Sequence, residues 1–175
     1  MRTLNYLSKL SLVAFLFLGL NAFAQDNSKS ITSNISSASD LSKFYGLLET
    51  TQAVDLLNDG NAYTVFAPVN DAFEGLKKEK YVNMPSGNTK LRAMATYHIL
   101  EGNWTLEKIQ NEIKEKGGRT MVKTVEGTPL TISNDSSGNL IIVDHLGRGN
   151  VVMATENQSS NGLVYKTKSI LLPIR

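Results

Sequence analysis

The sequence predicts an α+β domain, with helices first and a mostly antiparallel sheet after them. Three observations carry this. Up to about residue 116, apolar side chains recur at three-to-four spacing. Over residues 119–173 the period becomes two. That second half is also punctuated by Gly and Asn turns, and the run NDSSGN at 134–139 is a strong hairpin signal.

The elements follow in order. Residues 1–24 read as a signal peptide: Arg2 and Lys9 form a basic start, 10–20 is an uncharged apolar run, and Ala22-Phe23-Ala24 is a cleavage site before Gln25. The apolar run is too short for an ordinary membrane span. Residues 25–36 are polar and serine-rich and are expected to be a flexible leader. Ser39 is placed to cap a helix whose apolar face holds Leu41, Phe44, Leu47 and Leu48. A second short helix over 52–57 ends at Asn58-Asp59-Gly60. The β-prone run Tyr63-Thr64-Val65-Phe66 breaks at Ala67-Pro68, and Asn70 or Asp71 is expected to cap a helix carrying Phe73 and Leu76 into the core. Helices over 89–97 and 105–116 flank a brief strand at 98–100. Strands are then expected at 121–122, 130–132, 140–143, 151–153 and 163–172. There is no internal repeat, so 37–174 is read as one domain.

Charge excludes one class of partner. The chain has 18 Lys and Arg against 16 Asp and Glu, and the excess of two is Arg2 and Lys9 of the leader. The remainder is balanced at 16 each, so bulk charge argues against nucleic acid. With no cysteine, an exported chain holds its fold by packing alone.

Catalytic chemistry finds little footing. No G-x-S-x-G motif positions a serine, and Asp71 with Glu74 reads as first-turn acids near a helix dipole. His98 and His145 are too far apart, and too alone, for a metal motif. No catalytic residue, metal or cofactor is assigned. His98 is expected to be buried and bonded to a backbone group or to Asp71. Trp104, the one tryptophan, is expected in the core or at its rim, with sugar stacking as the alternative. Gly147-Arg148-Gly149-Asn150 is read as a turn, because the strand–loop–helix setting of a phosphate loop is missing.

Three motifs in order resemble the fasciclin domain family. Thr64-Val65-Phe66-Ala67-Pro68 with Asn70-Asp71 and Phe73 resembles its first signature. Tyr97-His98 resembles its tyrosine–histidine motif, and Asn161-Gly162 through Pro173 resembles its closing signature. The resemblance implies a fasciclin-like fold, with helices wrapped around an antiparallel β-wedge or sandwich. Thr64, Phe66, Pro68, Phe73, Asn161, Gly162 and Pro173 become fold-signature positions. It also implies a secreted or surface-attached adhesion module that binds protein or polysaccharide and does no catalysis. Tyr97 and His98, together with Asn70 and Asp71, are the expected partner-binding positions. In the alternative reading the chain binds a glycan or small molecule, with Trp104 or Tyr165 as a stacking platform. The family's closing signature usually has a histidine-like residue and an acid where this chain has Tyr165 and Lys168.

Overall fold

Helix α1 (Ile31–Ser37) forms because Ser30 caps it, its hydroxyl accepting from the Ser33 N–H at 3.2 Å. Ile31 and Ile35 lie one turn apart on its inner face, and both are fully buried. This corrects the flexible leader from residue 31 onward: two isoleucines at helical spacing outweigh the serine-rich composition around them. The computed structural model describes residues 28–74, 76 and 89–173. The expected signal peptide, the start of the leader and Ile174 lie outside them.

A 3-10 turn (Ser39–Leu41) leads into α2 (Ser42–Thr50), whose buried face is Phe44, Leu47 and Leu48. Ser39 makes no side-chain cap there. A left-handed Gln52 (φ 58°) turns the chain into α3 (Ala53–Leu57). Strand β1 (Tyr63–Pro68) is buried throughout and runs into a 3-10 turn (Asn70–Phe73). Then come α4 (Thr89–Tyr97), β2 (Ile99–Glu101) and α5 (Leu106–Glu115), the last capped by the Thr105 hydroxyl on the Lys108 N–H. Strands β3 (Arg119–Lys123), β4 (Pro129–Asn134), β5 (Leu140–Val143), β6 (Gly149–Ser159) and β7 (Gly162–Thr167) complete the order.

All seven strands join one sheet in the order β2-β1-β7-β6-β5-β4-β3. Every neighbouring pair is antiparallel except β1 with β7. The sheet curls until its ends meet: Leu100 bridges to Thr124, and the Val125 N–H donates to the Ile99 carbonyl at 2.8 Å. Near-closure leaves few open ladder groups to recruit a stray strand. Pro68 costs this sheet nothing. The Phe66 N–H two residues earlier points to His98 O, on the β2 side, where pairing ends at Val65.

Two cores result. The inside of the curl holds Phe66, Leu130, Ile132, Ile142, Leu163 and Tyr165, with α5 inserting Ile109 and Ile113. On the outside, α1 to α4 cover β2, β1, β7 and the far end of β6, burying Phe44, Leu48, Val65, Ala67, Ile99 and Val164. Gly162 lets the first and last strands meet. Its φ is +145°, and a Cβ there would sit 1.9 Å from the Tyr63 carbonyl oxygen, inside any permitted contact.

Candidate functional site

Tyr97 ends α4 and His98 makes the turn into β2, so these two side chains leave the chain toward different cores. Both residues are fully buried. The Tyr97 hydroxyl donates to the Pro129 carbonyl at 3.3 Å and accepts from the His145 N–H at 3.0 Å. Burial pushes this phenol up to about 12. The His98 ring packs at 5.4 Å from Phe44. Its Nε2 accepts from the Leu171 N–H at 3.0 Å, which leaves Nδ1 as the protonated nitrogen, donating to the Met94 carbonyl at 2.7 Å. Desolvation pulls its pKa down to about 4, against smaller upward pulls from the Met94 bond and the Asp144 charge. Both nitrogens are committed and no ring atom meets solvent, so in this arrangement His98 neither binds an external ligand nor exchanges a proton with one. Its partners are backbone groups, the first of the two expected alternatives; Asp71 is not among them.

A second polar anchor escaped the sequence reading. Asp144 is 3% exposed and sits in the β5–β6 turn. Its Oδ1 accepts from the Leu146 and Arg148 amides, and its Oδ2 takes the Arg148 guanidinium. Oδ2 also lies 3.4 Å from the Leu172 N–H. His98 and Asp144 therefore hold two successive amides of the closing segment. That explains why the expected strand over 163–172 stops at Thr167. A usable signal was present. Asp135 makes the same bonds to Ser137 and Asn139 in the β4–β5 turn, and both turns read D-x-x-G-x with a left-handed glycine.

The corner after β1 acts differently from expectation. Asn70 does not cap the turn it begins. Its Oδ1 instead accepts from the Lys43 N–H at 2.9 Å, and its Nδ2 donates to the Ser39 carbonyl at 2.8 Å. One amide thus caps α2 from 27 residues away in sequence. The turn itself is a 3-10 turn, held by i to i+3 bonds such as the Glu74 N–H to the Asp71 carbonyl. Phe73 and Leu76 pack against the outer core as expected. Asp71 is exposed. The four expected partner-binding residues are therefore not gathered on one exposed surface: two are interior, and Asn70 is spent on the cap.

The remaining signature residues hold the fold. The Thr64 hydroxyl donates to the Gly102 carbonyl at 2.7 Å and accepts from the Trp104 N–H at 2.9 Å. Asn161 ties three segments: Nδ2 donates to the Leu57 carbonyl, Oδ1 accepts from the Ile31 N–H, and its own carbonyl accepts from the Tyr63 N–H. Tyr165 is 2% exposed and stacks on Phe66 at 5.5 Å. Its hydroxyl lies 2.9 Å from the Trp104 carbonyl and 3.1 Å from Glu156 Oε2, and burial, with the Glu156 charge, raises its pKa further than that of Tyr97. A ring so enclosed is no open stacking platform. Trp104 is half-buried, and Lys108 Nζ covers one face of its ring at 3.9 Å from the centroid. Beside them lies a cleft of about 150 Å³ between α5 and the β4–β5 turn, with Leu106, Gln110, Leu140, Val152, Glu156 and Tyr165 in its walls. Among the described residues, no group of three or more His, Asp or Glu is placed to hold a metal, and no helix is long and apolar enough to cross a membrane.

Comparison with known proteins agrees with this architecture. A model of the fasciclin domain matches residues 39–173. Mouse (Mus musculus) stabilin-1 is 27% identical over 151 residues, covering 85% of this chain and 5% of stabilin-1. Human (Homo sapiens) periostin is 27% identical over 144 residues, covering 82% and 16% of the two chains. Immunogenic protein MPB70 of Mycobacterium bovis is 27% identical over 120 residues, covering 69% and 54%. The chain thus spans only part of each of these relatives. In structure it is similar to a FAS1 domain pair from the insect cell adhesion molecule fasciclin I, with a TM-score of 0.64 at 17% identity, covering 82% of this chain and 51% of that one. The match from Ser39 to Pro173, which takes in all seven strands and every helix after α1, makes this chain a member of the fasciclin domain family.

Proposed function

We propose that the chain is an exported, non-catalytic adhesion or matrix-association module that holds an extracellular protein or polysaccharide by its surface. The family match over residues 39–173 carries this reading, and the likeness in fold to fasciclin I, itself a cell adhesion molecule, supports it. The chemistry of the interior points the same way. His98, Tyr97 and Asp144 are the residues whose burial would suit catalysis, and their polar atoms are spent on backbone groups and on Arg148. The test is attachment. Beads coated with the full chain should retain cells or matrix preparations saturably, and soluble chain should compete. Retention no better than on albumin-coated beads would end the adhesion reading.

A second reading rests on the cleft beside Trp104, where a glycan or small ligand would meet Leu106, Gln110 and Glu156. At about 150 Å³ it is smaller than the ~300–1,000 Å³ of ordinary ligand sites. Glycan-array binding lost in Leu106→Ala or Gln110→Ala, both in the cleft wall, would favour it, and a blank array would set it aside.

A further inference from the structure

The helices cover only one half of the sheet's outer face. They stop at the ion pair of Lys166 with Asp40, 2.7 Å apart, where β7 meets the 3-10 turn before α2. Beyond that line the outer face of β3 to β5 and of the first part of β6, up to Met153, lies bare among the described residues; the far end of β6 meets α1 through Asn34. Strand alternation fixes what it shows. On β3, Thr120 and Val122 point inward, while Arg119, Met121 and Lys123 point out. Register places Met121 beside Thr131 and Thr131 beside Val143; a second row runs Ser133, Ile141, Val151. Met153 extends the patch toward Lys166. Met121 is 63% exposed, Val151 39% and Met153 36%, among the most exposed large apolar side chains described.

We infer that this bare half-face is a docking surface for an acidic polypeptide segment that also carries apolar side chains. The inference rests on the surface-binding reading above and names the surface and its partner. Charge selects the partner. Arg119 and Lys123 flank Met121 on the same strand face, and Lys168 follows the β7 residue paired with Val152. No outward position in the β3–β6 register holds an acid, and these three cations make no ion pair among the described residues. A basic rim around an apolar centre complements an acidic amphipathic partner. Methionine suits such a centre because its unbranched side chain re-packs against varied apolar shapes. A second copy meeting this face across a two-fold axis would set like charges together. A lipid surface is disfavoured because the patch has no aromatic residue to anchor at an interface.

The experiment uses the full chain with methionine methyl groups labelled for NMR and synthetic peptides graded in net charge and apolar content. Acidic amphipathic peptides should bind saturably and shift the Met121 and Met153 signals while leaving buried Met94 in place. The double variant Arg119→Glu, Lys123→Glu should bind such peptides about tenfold or more weakly with an unchanged melting temperature, since both side chains are exposed. The inference is overturned if basic peptides bind as well as acidic ones. It is equally overturned if heparin or anionic vesicles produce the methyl shifts and the peptides do not, or if the chain dimerises through this face. Cell attachment that survives the double variant would overturn this surface and leave the adhesion reading standing. Wild-type chain that binds acidic peptides but attaches to nothing would do the reverse.

Discussion

Replacing His98 tests the account of the interior most sharply. His98→Ala removes the acceptor for the buried Leu171 N–H and the donor to the Met94 carbonyl, at 3.0 and 2.7 Å. Each group left unpaired costs about 1–3 kcal/mol, and the vacated ring beside Phe44 adds a cavity term, so the expected loss is about 4 kcal/mol. At this chain length that lowers the melting temperature by about 10 °C. The pH dependence is more specific. Burial lowers the His98 pKa from 6.5 to about 4. The unfolded chain therefore binds the extra proton first as pH falls. The stability linked to neutral His98 is complete above about pH 6.5 and is lost as pH falls toward 4. At ~1.36 kcal/mol per pH unit this amounts to about 3 kcal/mol. The comparison is urea unfolding of the wild type and of His98→Gln, whose side chain retains an acceptor and does not titrate. The wild-type advantage should shrink by about 3 kcal/mol between pH 7 and pH 4. Subtracting the variant cancels the carboxylates, including Asp59, Glu112 and Asp135, whose pKa values are lowered by their hydrogen-bond partners. A pH-independent difference, or an Ala variant within 1 kcal/mol of wild type, would refute the buried neutral histidine.

Asn70→Ala should destabilise by about 1 kcal/mol through the lost cap on α2, while Asp71→Ala stays within about 0.5 kcal/mol, both read from urea midpoints. Equal effects would mean that the cap is not Asn70. Gly162→Ala should cost about 3 kcal/mol or more, or prevent soluble expression, because the added carbon collides with the Tyr63 carbonyl; a near-native melting curve would contradict this backbone geometry. Asn161→Ala should cost about 2 kcal/mol and speed amide exchange in Ile31–Ser37, since the Ile31 N–H and the Leu57 carbonyl lose their partner. Unchanged exchange there would show that α1 is held by other contacts.

What the sequence determined by itself is the set of local decisions. Helical spacing in Leu41 to Leu48 and in Ile109 and Ile113, alternation after Arg119, and the Asp135–Asn139 hairpin turn are encoded within a few residues, so they were readable without the fold. The fasciclin signatures were readable too, because Thr64, Asn161 and Gly162 are each the residue type their close contacts require. What only the tertiary structure decided depends on partners distant in sequence. Asn70 was legible as a cap but not as the cap of α2. The serine-rich segment before Ser37 looked mobile until Ile31 and Ile35 found the outer core. The family resemblance made the tyrosine–histidine pair a binding position, and local sequence left the partner of a buried His98 open between a backbone group and Asp71. The pair is interior because Leu171, 73 residues beyond His98, brings an amide to the ring. The bare half of the outer face was invisible for the same reason: alternation shows that Met121 and Met153 point out, but only the folded sheet shows that the helices stop short of them.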